Sequence, residues 1–90
     1  MKKRLSVTFS GRVQGVGFRY TAEEIANDIG LTGWVKNIAG GKVEAEAEGE
    51  EKELKEFISR LKERFGTHIS NIEEDRMPAT GEFSGFEVRF

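Results

Sequence analysis

The sequence predicts an α+β fold in which two helices cover one face of an antiparallel sheet. Two observations carry this expectation: several stretches alternate apolar and polar residues, and two others repeat apolar residues at helical spacing. A third supports it. Glu44, Glu46 and Glu48 alternate with Val43, Ala45 and Ala47, so one sheet face is expected to meet water, as antiparallel sheets allow.

Each element follows in order. Leu5, Val7 and Phe9 alternate with Ser6, Thr8 and Ser10 in a first strand. A glycine-rich stretch leads to a helix from about Thr21 to Ile29, with Ala22, Ile25, Ala26 and Ile29 on one face. Thr21 and Glu24 have the spacing of a capping box, and Gly30 suits the residue just past a helix end. Thr32 to Ile38 reads as a second strand, Gly40-Gly41 as a hairpin turn, and Lys42 to Glu48 as a third strand. Leu54, Phe57, Ile58, Leu61 and Phe65 form the stripe of a second helix, from Glu50 to Phe65, which Gly66 ends. Ile69 to Arg76 makes another strand, and Phe86, Val88 and Phe90 alternate in a short closing one. The order β-α-β-β-α-β, with that short fifth strand, is the ferredoxin-like sandwich plan.

A chain of 90 residues makes one domain, residues 1–90, with a single modest core. Hydrophobic residues at 37% and charged residues at 33% describe a soluble globular protein rather than a disordered or membrane one. There is no cysteine, hence no disulfide framework, thiolate metal site or cysteine nucleophile. Met1-Lys2-Lys3-Arg4 runs directly into strand sequence without the apolar run of a signal peptide. No segment approaches the roughly 20 apolar residues of a membrane span. A cytoplasmic location, no membrane partner and a monomer are expected. The net charge of −2 argues against a nucleic-acid partner held by phosphate neutralisation. A small anion is still admissible, because a few cations can make a local positive site on an acidic body.

The stretch from Gly11 to Arg19, GRVQGVGFR, is the chemically suggestive part of the chain. It lacks the third glycine of a dinucleotide fingerprint and the Lys-Ser/Thr of a Walker loop. What remains is strand, glycine-rich loop, helix. Amides in such a turn can converge on a phosphate-sized anion, helped by the positive end of the helix dipole. Arg19 would add a planar fork of donors. On these grounds alone, an anion site and a plain turn stand level.

The same stretch resembles the acylphosphatase signature G-x-V-Q-G-V-x-F-R. A second signature resembles Gly33-Trp34-Val35-Lys36-Asn37, followed by Gly41, Val43 and Glu44. Both lie in the family's order on the expected elements, and the likeness spans essentially the whole chain. One departure is Gly40, where the family usually has Asp or Asn before the turn glycine. The resemblance implies hydrolysis of acyl phosphates to a carboxylate and inorganic phosphate, with no cofactor and no metal. It implies that Arg19 binds the phosphoryl oxygens with the backbone amides of Gln14, Gly15, Val16, Gly17 and Phe18. It also implies that Asn37 orients the attacking water, and that the substrate phosphate takes that water's proton. The chemistry suits so few groups, since phosphoryl transfer needs mainly positioning and charge stabilisation. A carboxylate whose conjugate acid has a pKa of about 4 departs without a general acid.

Other residues receive plainer readings. His68, the single histidine, is expected at the surface. The row Glu44, Glu46, Glu48 is expected to be a solvated face. Trp34 is assigned to packing, Arg12 and Lys36 to the surface, and Tyr20 to no role. An RNA-binding sheet is the first competing class, but its aromatic motif is absent and glutamates would repel phosphates. The second is a non-catalytic anion-binding or regulatory domain, since acylphosphatase-like domains also occur fused to larger proteins that handle carbamoyl phosphate. A chain of 90 residues without flanking machinery leads us to expect a free enzyme.

Overall fold

The computed structural model describes all residues, 1–90. The chain runs β1 (Lys2–Gly11), α1 (Phe18–Ile29), β2 (Thr32–Ile38), β3 (Lys42–Glu50), α2 (Glu51–Phe65), a 3₁₀ turn (Gly66–His68), β4 (Ile69–Pro78) and β5 (Phe86–Arg89). The sheet has five strands in the order β4-β1-β3-β2-β5. β1 lies antiparallel between β3 and β4, and β2 is antiparallel to β3. β5 is parallel to β2, pairing Gly33 with Phe86 and Val35 with Val88, so the sheet is mixed at one edge rather than wholly antiparallel.

One face of the sheet carries the core. Leu5, Val7 and Phe9 of β1 and Val43, Ala45 and Ala47 of β3 are fully or almost fully buried. Phe18, Ala22, Ile25 and Ala26 of α1 meet them, as do Leu54, Phe57, Ile58, Leu61 and Phe65 of α2. The two apolar stripes read from the sequence are therefore the two buried helix faces. No helix is long and apolar enough to cross a membrane.

Three local expectations are corrected. α1 begins at Phe18 rather than Thr21: Gly17, with φ 78°, occupies the N-cap, and the Thr21 N–H already donates to the Gly17 carbonyl at 3.1 Å. The Thr21–Glu24 pair caps nothing, because burying Phe18 between Phe9 and Phe65 draws the preceding turn into the helix. The capping box of the chain instead opens α2, where the Glu50 and Glu53 side chains exchange bonds with each other's backbone. Gly30 does end α1 as expected, with φ 96° and with its own N–H and that of Leu31 donating to the Ala26 carbonyl.

The third correction concerns the open sheet face. Glu44 and Glu46 are partly exposed, but Glu48 is buried. Residues 79–85 fold back over it. Thr80 and Gly81 donate backbone N–H groups to its carboxylate at 2.9 Å each, the Thr80 hydroxyl adds a bond at 3.0 Å, and Arg4 Nε donates at 2.8 Å. Burial raises the Glu48 pKa. The Thr80 and Gly81 amides, the Arg4 guanidinium and the Thr80 hydroxyl outweigh that and hold it at about 2.

Candidate active site

β1 leaves the sheet at a bulge between Ser10 and Gly11. Gly11 takes φ 122°, and a Cβ there would fall on the His68 carbonyl, so only glycine fits so close to the neighbouring chain. The Arg12 N–H donates to that carbonyl at 2.8 Å. Val13 is buried in the core. Gln14 Nε2 then donates to the Ile38 and Lys42 carbonyls, at 3.0 and 2.8 Å, stapling the loop to the β2–β3 hairpin.

Between these anchors and α1, Gly15 and Gly17 take φ 76° and 78°, with nothing near where a Cβ would stand. Backbone conformation, not space, requires glycine at both. Their turn delivers the chain to the first turn of α1, whose leading amides have no partner inside the helix. That end also carries the positive pole of the helix dipole.

The loop, the start of α1 and β2 enclose a pocket of about 210 Å³ lined by Val13, Gly15, Gly17, Phe18, Arg19, Tyr20 and Asn37. Five of the expected site residues, Gly15, Gly17, Phe18, Arg19 and Asn37, thus meet in one concavity. Gln14 and Val16 do not line it: the Gln14 side chain is turned to the hairpin, and Val16 faces solvent. Phe18 stands with its ring 4.9 Å from Phe9 and 4.8 Å from Phe65, fixing the first turn of α1 in the core.

Asn37 pairs with Val43 and so lies on the helix-facing side of β2. Its Oδ1 is buried and has no hydrogen-bond partner, the one side-chain polar atom of the chain in that condition. Arg19 has no carboxylate within ion-pair distance. Its one protein hydrogen bond is a long one of 3.5 Å, from Nη1 to the Arg89 carbonyl. The guanidinium lies over the Phe90 ring at 4.8 Å and near the Tyr20 ring at 5.9 Å. Most of its donors are thus free to meet an anion in the pocket.

The residues given plainer readings lie elsewhere. Lys36 projects to the opposite sheet face, over Trp34 at 5.3 Å, and Arg12 is exposed. The His68 ring packs edge-on to Phe65 and is outside the pocket lining. Two contributions escaped the sequence reading. The Gln14 staple spans 24 and 28 residues, and no spacing rule signals it. Phe90 looked like the last inward residue of an alternating strand; it instead passes beyond β5, is 91% exposed and covers Arg19.

The family model described as Acylphosphatase matches residues 5–88. The chain is 40% identical over 85 residues to an acylphosphatase from Acaryochloris marina, covering 93% of this chain and 90% of that one. The crystal structure of acylphosphatase from Bacillus subtilis superposes with a TM-score of 0.89 at 31% identity, covering 98% and 99% of the two chains. Full-length HypF in its phosphate- and nucleotide-bound form contains a similar region, with TM-score 0.90 and 32% identity over all of this chain and 12% of that one. With both signatures meeting in one pocket and the match running through almost every residue, the chain belongs to the acylphosphatase family of hydrolases.

Proposed function

We propose that this protein hydrolyses the carboxyl-phosphate bond of small acyl phosphates. The phosphoryl group sits in the pocket against the loop's backbone amides, with Gly15, Gly17 and Phe18 lining it, and the Arg19 guanidinium closes on its oxygens. The Asn37 carboxamide holds the attacking water. The water oxygen bonds to phosphorus, the bond from phosphorus to the acyl oxygen breaks, and its electrons leave with the carboxylate. A phosphoryl oxygen takes the water's proton. Since a carboxylate with a conjugate-acid pKa of about 4 needs no protonation at neutral pH, a pocket lining without His68 is consistent with this scheme.

The observation that carries the reading is that Asn37 lines the same pocket as Arg19, an arginine without a carboxylate partner. A carboxamide and a set of cationic donors lining one cavity suit a water and an anion together. As part of the same proposal, the chain acts as a monomer and without nucleic acid, in keeping with its net charge of −2.

The test is release of inorganic phosphate by the pure chain from a panel of acyl phosphates and phosphate monoesters. Rapid release from benzoyl phosphate, with none from monoesters, is expected. Monoester turnover would contradict the leaving-group argument. Release from benzoyl phosphate no faster than the spontaneous rate would leave a non-catalytic anion-binding domain.

A further inference from the structure

We infer that Val16, Tyr20 and Phe90 form an apolar rim that receives the acyl group, so that the enzyme favours acyl phosphates with aromatic or other bulky apolar acyl groups. This inference rests on the hydrolytic reading of the same pocket. The chain exposes five large apolar side chains, Met1, Val16, Tyr20, Met77 and Phe90. Met1 and Met77 lie together in a shallow groove with Lys3 and Arg76 at the other end of β1. The remaining three each line the pocket or adjoin a residue that does. Val16 lies between the two lining glycines, Tyr20 lines the pocket itself, and the Phe90 ring is 4.8 Å from the Arg19 guanidinium. Scattered exposed apolar residues need no explanation, but a cluster at the opening of a polar pocket marks a ligand-contacting surface.

Direction supports the same assignment. In an in-line displacement the attacking and leaving oxygens stand on opposite sides of phosphorus. Asn37, which would hold the water, is half-buried on the helix-facing side of β2, whereas Val16, Tyr20 and Phe90 are 40%, 58% and 91% exposed. The water therefore attacks from the closed side, and the acyl group leaves toward the open side. There it meets two aromatic rings and a valine, none of which offers a charge to a polar acyl group. Apolar acyl groups cover these side chains and remove both surfaces from water.

The test compares kcat/KM for benzoyl phosphate and acetyl phosphate in the wild type, Tyr20→Ser, Phe90→Ser and the double variant, with the inhibition constant of inorganic phosphate measured alongside. The wild type is expected to favour benzoyl phosphate by about tenfold or more, the scale on which an apolar pocket separates substrates that differ by a small apolar group. Each single variant reduces that ratio and the double variant brings it near one, mainly through KM for benzoyl phosphate, while Met77→Ser leaves the ratio where it was. A wild-type ratio near one overturns the inference. So does an equal loss on both substrates with weaker phosphate inhibition, which would mean that the rings serve only to hold Arg19. Absence of hydrolysis of either substrate removes the reading of the pocket and this inference with it, whereas hydrolysis without discrimination removes this inference alone.

Discussion

Arg4 and Arg19 each lie over a phenylalanine ring, Phe83 at 4.5 Å and Phe90 at 4.8 Å, yet the surroundings of their charges are opposite. Arg4 bonds to Glu48, Glu46, Glu82 and Thr80, and its side chain is only 12% exposed. Hydrogen bonding to Glu82, opposed by burial and helped by Glu48, raises its pKa further. Arg19 meets no carboxylate and makes one long bond to a carbonyl. On the open face of the sheet the protein saturates a cation and so clamps residues 79–85 over β1 and β3. Beside the loop it holds a cation among aromatic rings and leaves most of its donors unused. Under the proposed mechanism the guanidinium that is to hold a substrate must not already hold a partner, and stacking orients it without consuming hydrogen bonds.

The comparison is tested first at the free cation. Arg19→Lys is expected to lower kcat/KM for benzoyl phosphate by about 10³-fold or more, because an ammonium cannot reproduce a two-pronged contact with phosphoryl oxygens. Near wild-type turnover would take Arg19 out of the mechanism. Asn37→Ala should lower kcat by about 10²-fold, the scale of a lost positioning or transition-state group, with little change in inhibition by inorganic phosphate. Loss of phosphate inhibition in a folded Asn37→Ala protein would make its role binding rather than orientation of water.

The saturated cation should give the reverse pattern. Arg4→Ala leaves the buried Glu48 without its guanidinium, and unfolding in urea should show a loss of roughly 3 kcal/mol while kcat/KM per folded molecule is retained. Lost activity at full stability would show that the two regions are coupled. The smallest effect is in acid. The Glu48 carboxyl titrates at about 2 in the folded chain against 4.5 when free, so the folded state holds this proton less readily than the unfolded one. Its contribution is fully present above about pH 5 and is lost as pH falls through 2, in total roughly 3 kcal/mol at most. Urea midpoints for wild type and Glu48→Gln from pH 6 to pH 2 should converge as the pH drops. Parallel curves would mean that Glu48 is not anchored in this way.

Much of this was legible in the chain. Alternation in β1 and β3 and the two helical stripes depend on periods of 2 and 3.6, which survive in any sequence where one face is buried and the other is not. Glycines needed for positive φ are visible too, since no other residue type serves as well at Gly15 and Gly17. The two signatures placed Arg19 and Asn37 on elements that the fold brings into one pocket.

Tertiary structure decided what periodicity does not encode. Alternation assigns Glu48 to a face but is silent on what lies over that face, and residues 79–85, which cover it, have no repeat to read. The start of α1 moved because burial of Phe18 outweighed the local appeal of Thr21 as a cap. The direction of β5, the reach of Gln14 to the hairpin and the seat of Phe90 on Arg19 all join residues 24 or more positions apart. Such contacts form only once the sheet has closed. Local patterns are set by neighbours in the chain, whereas cover and contact are set by whatever the fold brings near.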